Sequence, residues 1–423
     1  MKYAVYTLGC KVNTYESNLM IDILNNNGYK EDTKNLSLAI INTCTVTNTA
    51  HKKSIKIIKS VIKKNKKAIV IVVGCAPQHK LEEIKAIEGV SIILGNKDKS
   101  KIVDYINKYK KTKKQIVKVK SLKKETFENM ILNNFNQTRA FVKIQDGCNN
   151  FCTYCIIPFA RGGVRSKCKT DVIDEIKHLS LTHKEIVLTG IHTGNYGQEF
   201  ENYNFSKLVK DILRIKNLKR LRISSIEMNE ITDDLLQLMQ KSDILVDHLH
   251  IPLQSGSNDI LKLMNRKYSK EQFIGKIDNI RKIRPNISIT TDVIVGFPNE
   301  TEEHFQETIN TINEIGFAKL HVFPYSKRDG TKAATMDNQV NDTVKKQRVT
   351  QLLQLSSFLE NKYQNKFVNS NTKVLVEKYK DGINIGHTSN YLLVHTPGPN
   401  LQNEIIDVFI TENKIDYLDS ECL

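Results

Sequence analysis

The stretch GCNNFCTYCIIPFARG, residues 147–162, places Cys148, Cys152 and Cys155 within eight residues at the spacing C-x3-C-x2-C. The nearest histidine in the chain is His178, and no fourth cysteine is close by. Structural zinc takes four protein ligands, often as two C-x2-C knuckles, and here there is no second knuckle. Three thiolates this close can instead hold three irons of a [4Fe–4S] cube, which elsewhere takes four cysteines. The fourth iron is then open to a small molecule. A strand-like segment, KIQDG, leads into Cys148, so the loop sits at the end of a strand and before a helix.

Three further cysteines repeat one local setting. Cys10 in YTLGC, Cys44 in INTCTV and Cys75 in VVGCAP each follow a strand-like run and sit beside Gly, Thr or Pro. The carboxyl ends of strands in an open parallel sheet share one edge, where ligands bind. Residues 34 and 31 positions apart (44−10, 75−44) therefore converge in space. They predict a second three-cysteine cluster site, again with an open iron. Cys168 and Cys422 remain, read as a small core residue and a near-terminal free thiol. With no secretory pattern at the amino terminus, the cysteines predict no disulfides.

The elements needed to position these groups are legible as alternating strands and helices. KYAVYTL, LAIIN, AIVIVV and VSIIL are strands separated by helical patterns, a parallel α/β sheet over residues 1–112. Residues 113–133 read as a basic, polar linker. A second alternating series, over residues 134–365, has the strands AFVKIQ, EIVLTG, RLRISS, LHIPLQ, ISITTDVIVGF and AKLHVFPYS. Six units are too few for a closed eight-fold barrel and predict an open, partial one. It ends in a helix, DTVKKQRVTQLLQLSSFLENKYQNKF, with Val344, Leu352, Leu355 and Phe358 at helical spacing. Residues 368–423 change texture to short strands, KVLVEKY, YLLVHT and EIIDVFI, a small all-β module.

Composition narrows the function. Lys+Arg 63 against Asp+Glu 46 gives a net charge of +17, which suits a polyanionic partner such as nucleic acid. Twelve lysines and two aspartates fall between Lys97 and Lys124, a run that reads either as a solvated connector or as a phosphate-binding surface. The most apolar run, AIVIVV, falls far short of the ~20 residues a membrane span needs. The expectation is a soluble, cytoplasmic chain.

CxxxCxΦC with an aromatic Φ, here Tyr154, resembles the signature of the radical S-adenosylmethionine superfamily. That resemblance implies a partial six-unit barrel and S-adenosylmethionine chelated at the open iron. The additional triad Cys10, Cys44 and Cys75 resembles the auxiliary-cluster ligands of the methylthiotransferases within that superfamily. LQSGSNDILKLMNRKYS, TTDVIVGFPNETEEHF and HVFPYSKRDGTKAATM are similar to this family as well. The implied cofactors are two [4Fe–4S] clusters and S-adenosylmethionine. The implied third domain is an RNA-binding β-barrel of the TRAM type, and the implied partners are the anticodon stem–loop of tRNA and an external electron donor.

Family members act on isopentenyladenosine in tRNA, on threonylcarbamoyladenosine in tRNA, or on an aspartate of a ribosomal protein. IIPFARGGVRS, HVFPYSKRDGTKAA and GHTSNYLLV resemble the threonylcarbamoyladenosine group, and the absence of a membrane tail before Leu423 resembles its bacterial members. The implied reaction places CH3S on C2 of the adenine beside the anticodon. One S-adenosylmethionine would methylate a sulfur held at the auxiliary site, and a second would give the radical that removes the C2 hydrogen. Arg161 and Arg165 are expected at the substrate, where a guanidinium would pair with the threonyl carboxylate; the alternative is that they pack on the cluster loop or meet phosphate. Thr189, Gly190, Ser225, Glu227, Gln254, Ser255 and Asp292 lie at barrel strand ends, where such enzymes build their sites, and are expected with Tyr154 around the cofactor. Glu227 is the first choice for an ammonium or hydroxyl contact. His248 and His250 share a strand face and read as structural. Tyr391 is expected to stack on a base. A reading from another class, an RNA-binding iron–sulfur sensor without chemistry, is separated from these by reductive cleavage of S-adenosylmethionine.

Overall fold

The computed structural model describes residues 1–122 and 125–423 of the chain. The last two lysines of the basic run, Lys123 and Lys124, lie outside the described residues.

Strands β1 (Lys2–Thr7), β2 (Lys30–Glu31), β3 (Leu38–Thr43), β4 (Ile69–Gly74), β5 (Val90–Leu94) and β6 (Ile116–Lys118) form one sheet in the order β2-β1-β3-β4-β5-β6. Its pairs are parallel. All six residues of β3 are buried, because helices cover both faces of such a sheet. Ile40 and Ile71 pack with Met20, Leu24 and Ile106 on one face. Ile41 and Val72 pack with Ile58, Val61 and Ile84 on the other. β6 corrects the expected linker: the domain extends to residue 118, where a three-residue edge strand pairs with β5. So short an edge strand, flanked by lysines, carries no strand pattern of its own. Further along the same stretch, Met130 and Leu132 are buried in the core of the next domain, so it is strapped down rather than free.

That domain begins with β7 (Arg139–Lys143). The two-residue strands β8 (Gln145–Asp146) and β9 (Arg165–Ser166) pair antiparallel and pin both ends of the first cysteine loop. Strands β10 (Glu185–Thr189), β11 (Arg220–Ile223), β12 (His248–His250), β13 (Ser288–Val295) and β14 (Lys319–Pro324) complete the six expected units. They run as two parallel sheets, β11-β10-β7 and β12-β13-β14, joined by a parallel bridge from Leu221 to Leu245. The result is the open, partial barrel that six units predict. The helix Asp342–Gln364 lies along β14, where Ser356 Oγ accepts from the Leu320 amide at 3.0 Å. Its buried face is Leu352, Leu359 and Tyr363, and Phe358 is exposed. The expected apolar stripe thus begins correctly and drifts off by one position.

The carboxy-terminal module has five strands rather than the three legible in sequence. β15 (Asn371–Lys380), β16 (Ile383–Thr388), β17 (Leu393–Pro397), β18 (Ile405–Asn413) and β19 (Leu418–Cys422) close a barrel in the order β15-β16-β17-β19-β18. Val374, Val376, Val394, Val408, Ile410 and Leu418 fill it. Arg220 of β11 holds it to the central domain by donating to the carbonyls of His387 at 3.1 Å and Lys373 at 2.8 Å.

Candidate functional site

The 148–155 loop is held from several directions. Gly147, at φ +76, has no room for a side chain, since a Cβ there would lie 1.9 Å from the Gly163 carbonyl oxygen. Thr153 is tied to the turn at Met264 through its amide (3.1 Å) and to Leu263 through its hydroxyl (2.8 Å). Polar groups face the sulfurs: the Asn150 amide donates to Cys148 at 3.4 Å, Arg266 Nη1 donates to Cys152 at 3.5 Å, and His192 Nδ1 lies 3.5 Å from the Cys148 sulfur. Burial opposes a charge on His192, but Cys148 and Glu230 outweigh it and hold the imidazole up to about 10. Burial pushes the Cys155 thiol up to about 12. Tyr154 packs edge-on against Phe297 with ring centres 6.5 Å apart.

Cys10, Cys44 and Cys75 follow β1, β3 and β4, which are adjacent in the sheet, so the expected convergence at one edge is present. Gly9 permits it. At φ +104, a Cβ on Gly9 would meet Cys44 Cβ at 2.8 Å and its sulfur at 3.0 Å. Asn96 Nδ2 points at the Cys75 sulfur (3.5 Å) and also donates to the Ala160 carbonyl (2.8 Å), which ties this edge to the loop of the other triad. Burial and the neighbouring Cys75 push Cys44 up to about 11. Such buried thiols stay protonated until a metal takes the proton's place. Among the described residues no three His, Cys, Asp or Glu side chains converge on a single metal ion. Each triad offers three thiolates and no fourth protein ligand, a donor set that fits a [4Fe–4S] cube with one open iron rather than a four-ligand structural zinc. Cys168, expected in the core, is exposed at the start of the helix Lys169–Leu179.

Between the two triads lies a buried ionic network. Glu16 is fully buried and pairs with Lys99, with Lys143 at 2.7 Å and with Arg161 at 2.8 Å. Asp146 pairs with Lys143 at 2.7 Å, Arg161 at 3.3 Å and Arg165 at 3.5 Å. Arg161 Nη2 also donates to Asn13 at 2.7 Å, while its Nε is buried without a partner. Burial works against the Glu16 carboxylate, but Arg161, Lys143 and Lys99 hold it well below the ordinary range. Four cations (Lys99, Lys143, Arg161, Arg165) thus face two carboxylates (Glu16, Asp146). A positive excess held in a dry interior calls for an anion beside it. Cys10 and Cys75 stand within electrostatic reach of the Arg161 guanidinium, so a thiolate-bound cluster fits there. Burial of Arg161 and Arg165 corrects the expected substrate contact and agrees with the alternative, that they pack on the cluster loop. Both belong to this network, and their flanking glycines serve the loop's tight packing.

A cavity of about 700 Å³ opens where the three domains meet. Cys10 forms one wall, and Thr189, Gly190, Ser225 and Asp292 at the barrel strand ends form another. Tyr391 of the carboxy-terminal module forms a third. Tyr391 stacks on His387 with ring centres 4.6 Å apart, and the guanidinium groups of Arg139 and Arg222 lie over its ring at 4.9 and 4.7 Å. His248 and His250, both on the wall, share Thr290 Oγ1, in keeping with a structural role for them. The remaining expected residues stand off the wall. Glu227 is ion-paired with Arg266 behind the Cys152 sulfur. Gln254 is held at φ +67, its amide bonded to the Asp292 carbonyl at 2.8 Å. Ser255 is buried against Thr308. Sequence reasoning missed His192, just after β10, and Arg266, in the turn after the helix Asn258–Leu263, with no spacing to announce them. It also missed Asn13 and Glu16, whose three-residue steps from Cys10 along the helix Lys11–Asn26 were a usable signal.

Residues 142–312 match the model of the Radical SAM superfamily, and residues 2–95 match that of Uncharacterized protein family UPF0004. Over 402 residues the chain is 44% identical to threonylcarbamoyladenosine tRNA methylthiotransferase MtaB of Bacillus subtilis, covering 92% of this chain and 89% of that protein. The chain belongs to the radical SAM methylthiotransferase family. This methylthiotransferase is also 36% identical to the MtaB of Thermotoga maritima, over 92% of this chain and 89% of that one. To a tRNA-2-methylthio-N(6)-dimethylallyladenosine synthase of Clostridium botulinum it is 36% identical as well, over 89% and 86%. In fold it is similar to the radical S-adenosylmethionine methyltransferase TsrM of Kitasatospora setae, with TM-score 0.57 at 12% identity over 79% of this chain and 76% of that one. Membership of this family implies a [4Fe–4S] cluster and S-adenosylmethionine. No helix among the described residues is long and apolar enough to cross a membrane.

Proposed function

We propose that this methylthiotransferase adds a methylthio group to C2 of N6-threonylcarbamoyladenosine in the anticodon loop of tRNA. The observation that carries the reading is the single chamber bounded by Cys10, the barrel strand ends and Tyr391, taken with the 44% identity to the Bacillus subtilis enzyme. C2 of adenine carries an unactivated C–H bond, on which side-chain acids and bases have little purchase. The clusters and S-adenosylmethionine, when bound, supply the one-electron chemistry and the methylthio group. The protein's part is to position and to exclude water.

Cys148, Cys152 and Cys155 hold the cluster that meets S-adenosylmethionine, and Tyr154 braces their loop against Phe297. Cys10, Cys44 and Cys75 hold the second cluster, an assignment supported by the cation excess around Arg161. Thr189, Gly190, Ser225 and Asp292 offer polar groups to the methionyl and ribose parts of the cofactor. Glu227 acts by orienting Arg266 at the Cys152 sulfur, and Gln254 and Ser255 shape the strand end behind Asp292. Tyr391, already stacked on His387, presents a ring to the incoming base. An anticodon-loop base is accessible, so extruding it costs little. Electrons come from an external donor, and the net charge of +17 holds the RNA.

The test is a nucleoside mass-spectrometric profile of tRNA from cells lacking the gene, rescued with wild type or Cys10→Ala. Loss of methylthio-threonylcarbamoyladenosine, restored by wild type alone, supports the reading. Purified Cys10→Ala protein then holds about half the wild-type iron, one cube of two. An unchanged level of that nucleoside in the deletion strain rejects the substrate.

A further inference from the structure

Around Arg222 the chamber carries positive charge that the adjacent carboxylates only partly neutralise. Arg222 is 3% exposed and lines the cavity. Its Nε donates to Glu185 at 2.6 Å, and its Nη2 reaches Glu185 and the Ser389 carbonyl, each at 3.3 Å. Nη1 is buried and has no partner. Arg220 shares the same Glu185 at 3.8 Å. Arg139, also on the wall, pairs with Glu377 at 3.1 Å, and Glu377 also accepts from His387. Three guanidinium groups (Arg139, Arg220, Arg222) thus share two carboxylates (Glu185, Glu377). Lys11, next to Cys10, opens into the same cavity, within electrostatic reach of Arg139 and Arg222 and of Asp292. Three carboxylates also line the cavity: Asp292 faces His250 at 3.3 Å, Glu360 pairs with Lys319 at 2.8 Å, and Asp416 stands on the rim contributed by the carboxy-terminal module. An orphaned guanidinium N–H in a dry wall costs free energy, and a surplus buried cation costs more. Both costs vanish when an anion enters.

We propose that Arg222, with Arg139 and Lys11, forms a carboxylate subsite that takes the threonyl carboxylate of the modified base. The inference rests on the substrate reading above and deepens it. A planar guanidinium with a free N–H suits a carboxylate, and the ring of Tyr391 beside it suits the attached purine. The subsite also explains discrimination: a dimethylallyl group brings no charge, and would leave Nη1 unpaired and dehydrated.

The same cations could instead hold a backbone phosphate of the RNA, and one experiment separates the sources. Fluorescence anisotropy is measured anaerobically on the cluster-loaded full chain. One ligand is an anticodon stem–loop RNA bearing threonylcarbamoyladenosine, and the other is the same RNA with the carboxylate replaced by a neutral amide. Wild type is expected to prefer the carboxylate by about ten- to a hundred-fold, and Arg222→Gln to erase that preference while still binding RNA. Lys11→Gln gives a second variant, whose side chain is not part of the packed core, and is expected to reduce the preference several-fold. Variants that weaken both RNAs equally would identify phosphate as the anion and overturn the proposal. So would a wild type that methylthiolates threonylcarbamoyladenosine without any carboxylate preference, though the substrate reading would survive. If wild type methylthiolates neither the modified tRNA nor the stem–loop, both fall together.

Discussion

Glu16→Gln tests whether the ionic network between the triads does what its geometry implies. The substitution keeps the shape of the side chain and removes one charge from a site where Lys99, Lys143 and Arg161 all converge on it. Removing one partner from a buried ion pair costs about 3–5 kcal/mol, because the partners left behind are desolvated and unpaired. The same size of loss is expected here. The pH dependence has a definite sign. The folded-state carboxylate titrates well below the ordinary range, so its contribution is complete above the unfolded value of about 4.3. It is lost only as pH falls through the lower folded value. Wild type should therefore exceed Glu16→Gln by the same margin at pH 5.5 and pH 7.5. Urea unfolding followed by far-UV circular dichroism measures it, since the chain has no tryptophan. Two results would refute the reasoning: a difference below about 1 kcal/mol, or one that disappears in 1 M salt as a surface pair's would.

Two further substitutions probe the frame around the site. Gly147→Ala should remove iron from the 148–155 loop while leaving the Cys10 side loaded, because the added carbon would lie 1.9 Å from a carbonyl oxygen at a φ of +76. Normal iron content in that variant would show that the loop can yield. Arg220→Ala removes two bonds to carbonyls of the carboxy-terminal barrel, at about 1.5–3 kcal/mol each for a charged donor. Tryptic cleavage between residues 365 and 371 should rise and tRNA binding weaken, with iron content unchanged. An unaltered cleavage pattern would mean that the module is docked by other contacts.

Much of this protein is written in local pattern. The two cysteine triads, the six barrel strands and the strand-end placement of Cys10, Cys44 and Cys75 follow from spacing, from period-two apolar runs and from the rule that parallel strands share a carboxyl edge. The misses have local causes too. β6 is too short and too lysine-rich to announce itself, and β16 and β19 exist because a small barrel must close to cover its edges.

What the sequence by itself determined is which residues can ligate and which segments are strands, since both depend on residue type and near-neighbour spacing. Only the tertiary structure decided what surrounds them. Arg161 and Arg165 resemble substrate arginines in one dimension, yet folding buries them against Glu16 and Asp146, residues 145 and 19 positions away (161−16, 165−146). Arg139, Arg222 and Lys11 have no motif and come from three separate elements, yet they line one cavity. The physical reason is that charge pairing and desolvation depend on distance through space. In a fold of three docked domains that distance is set by packing and carries no trace in the order of the residues.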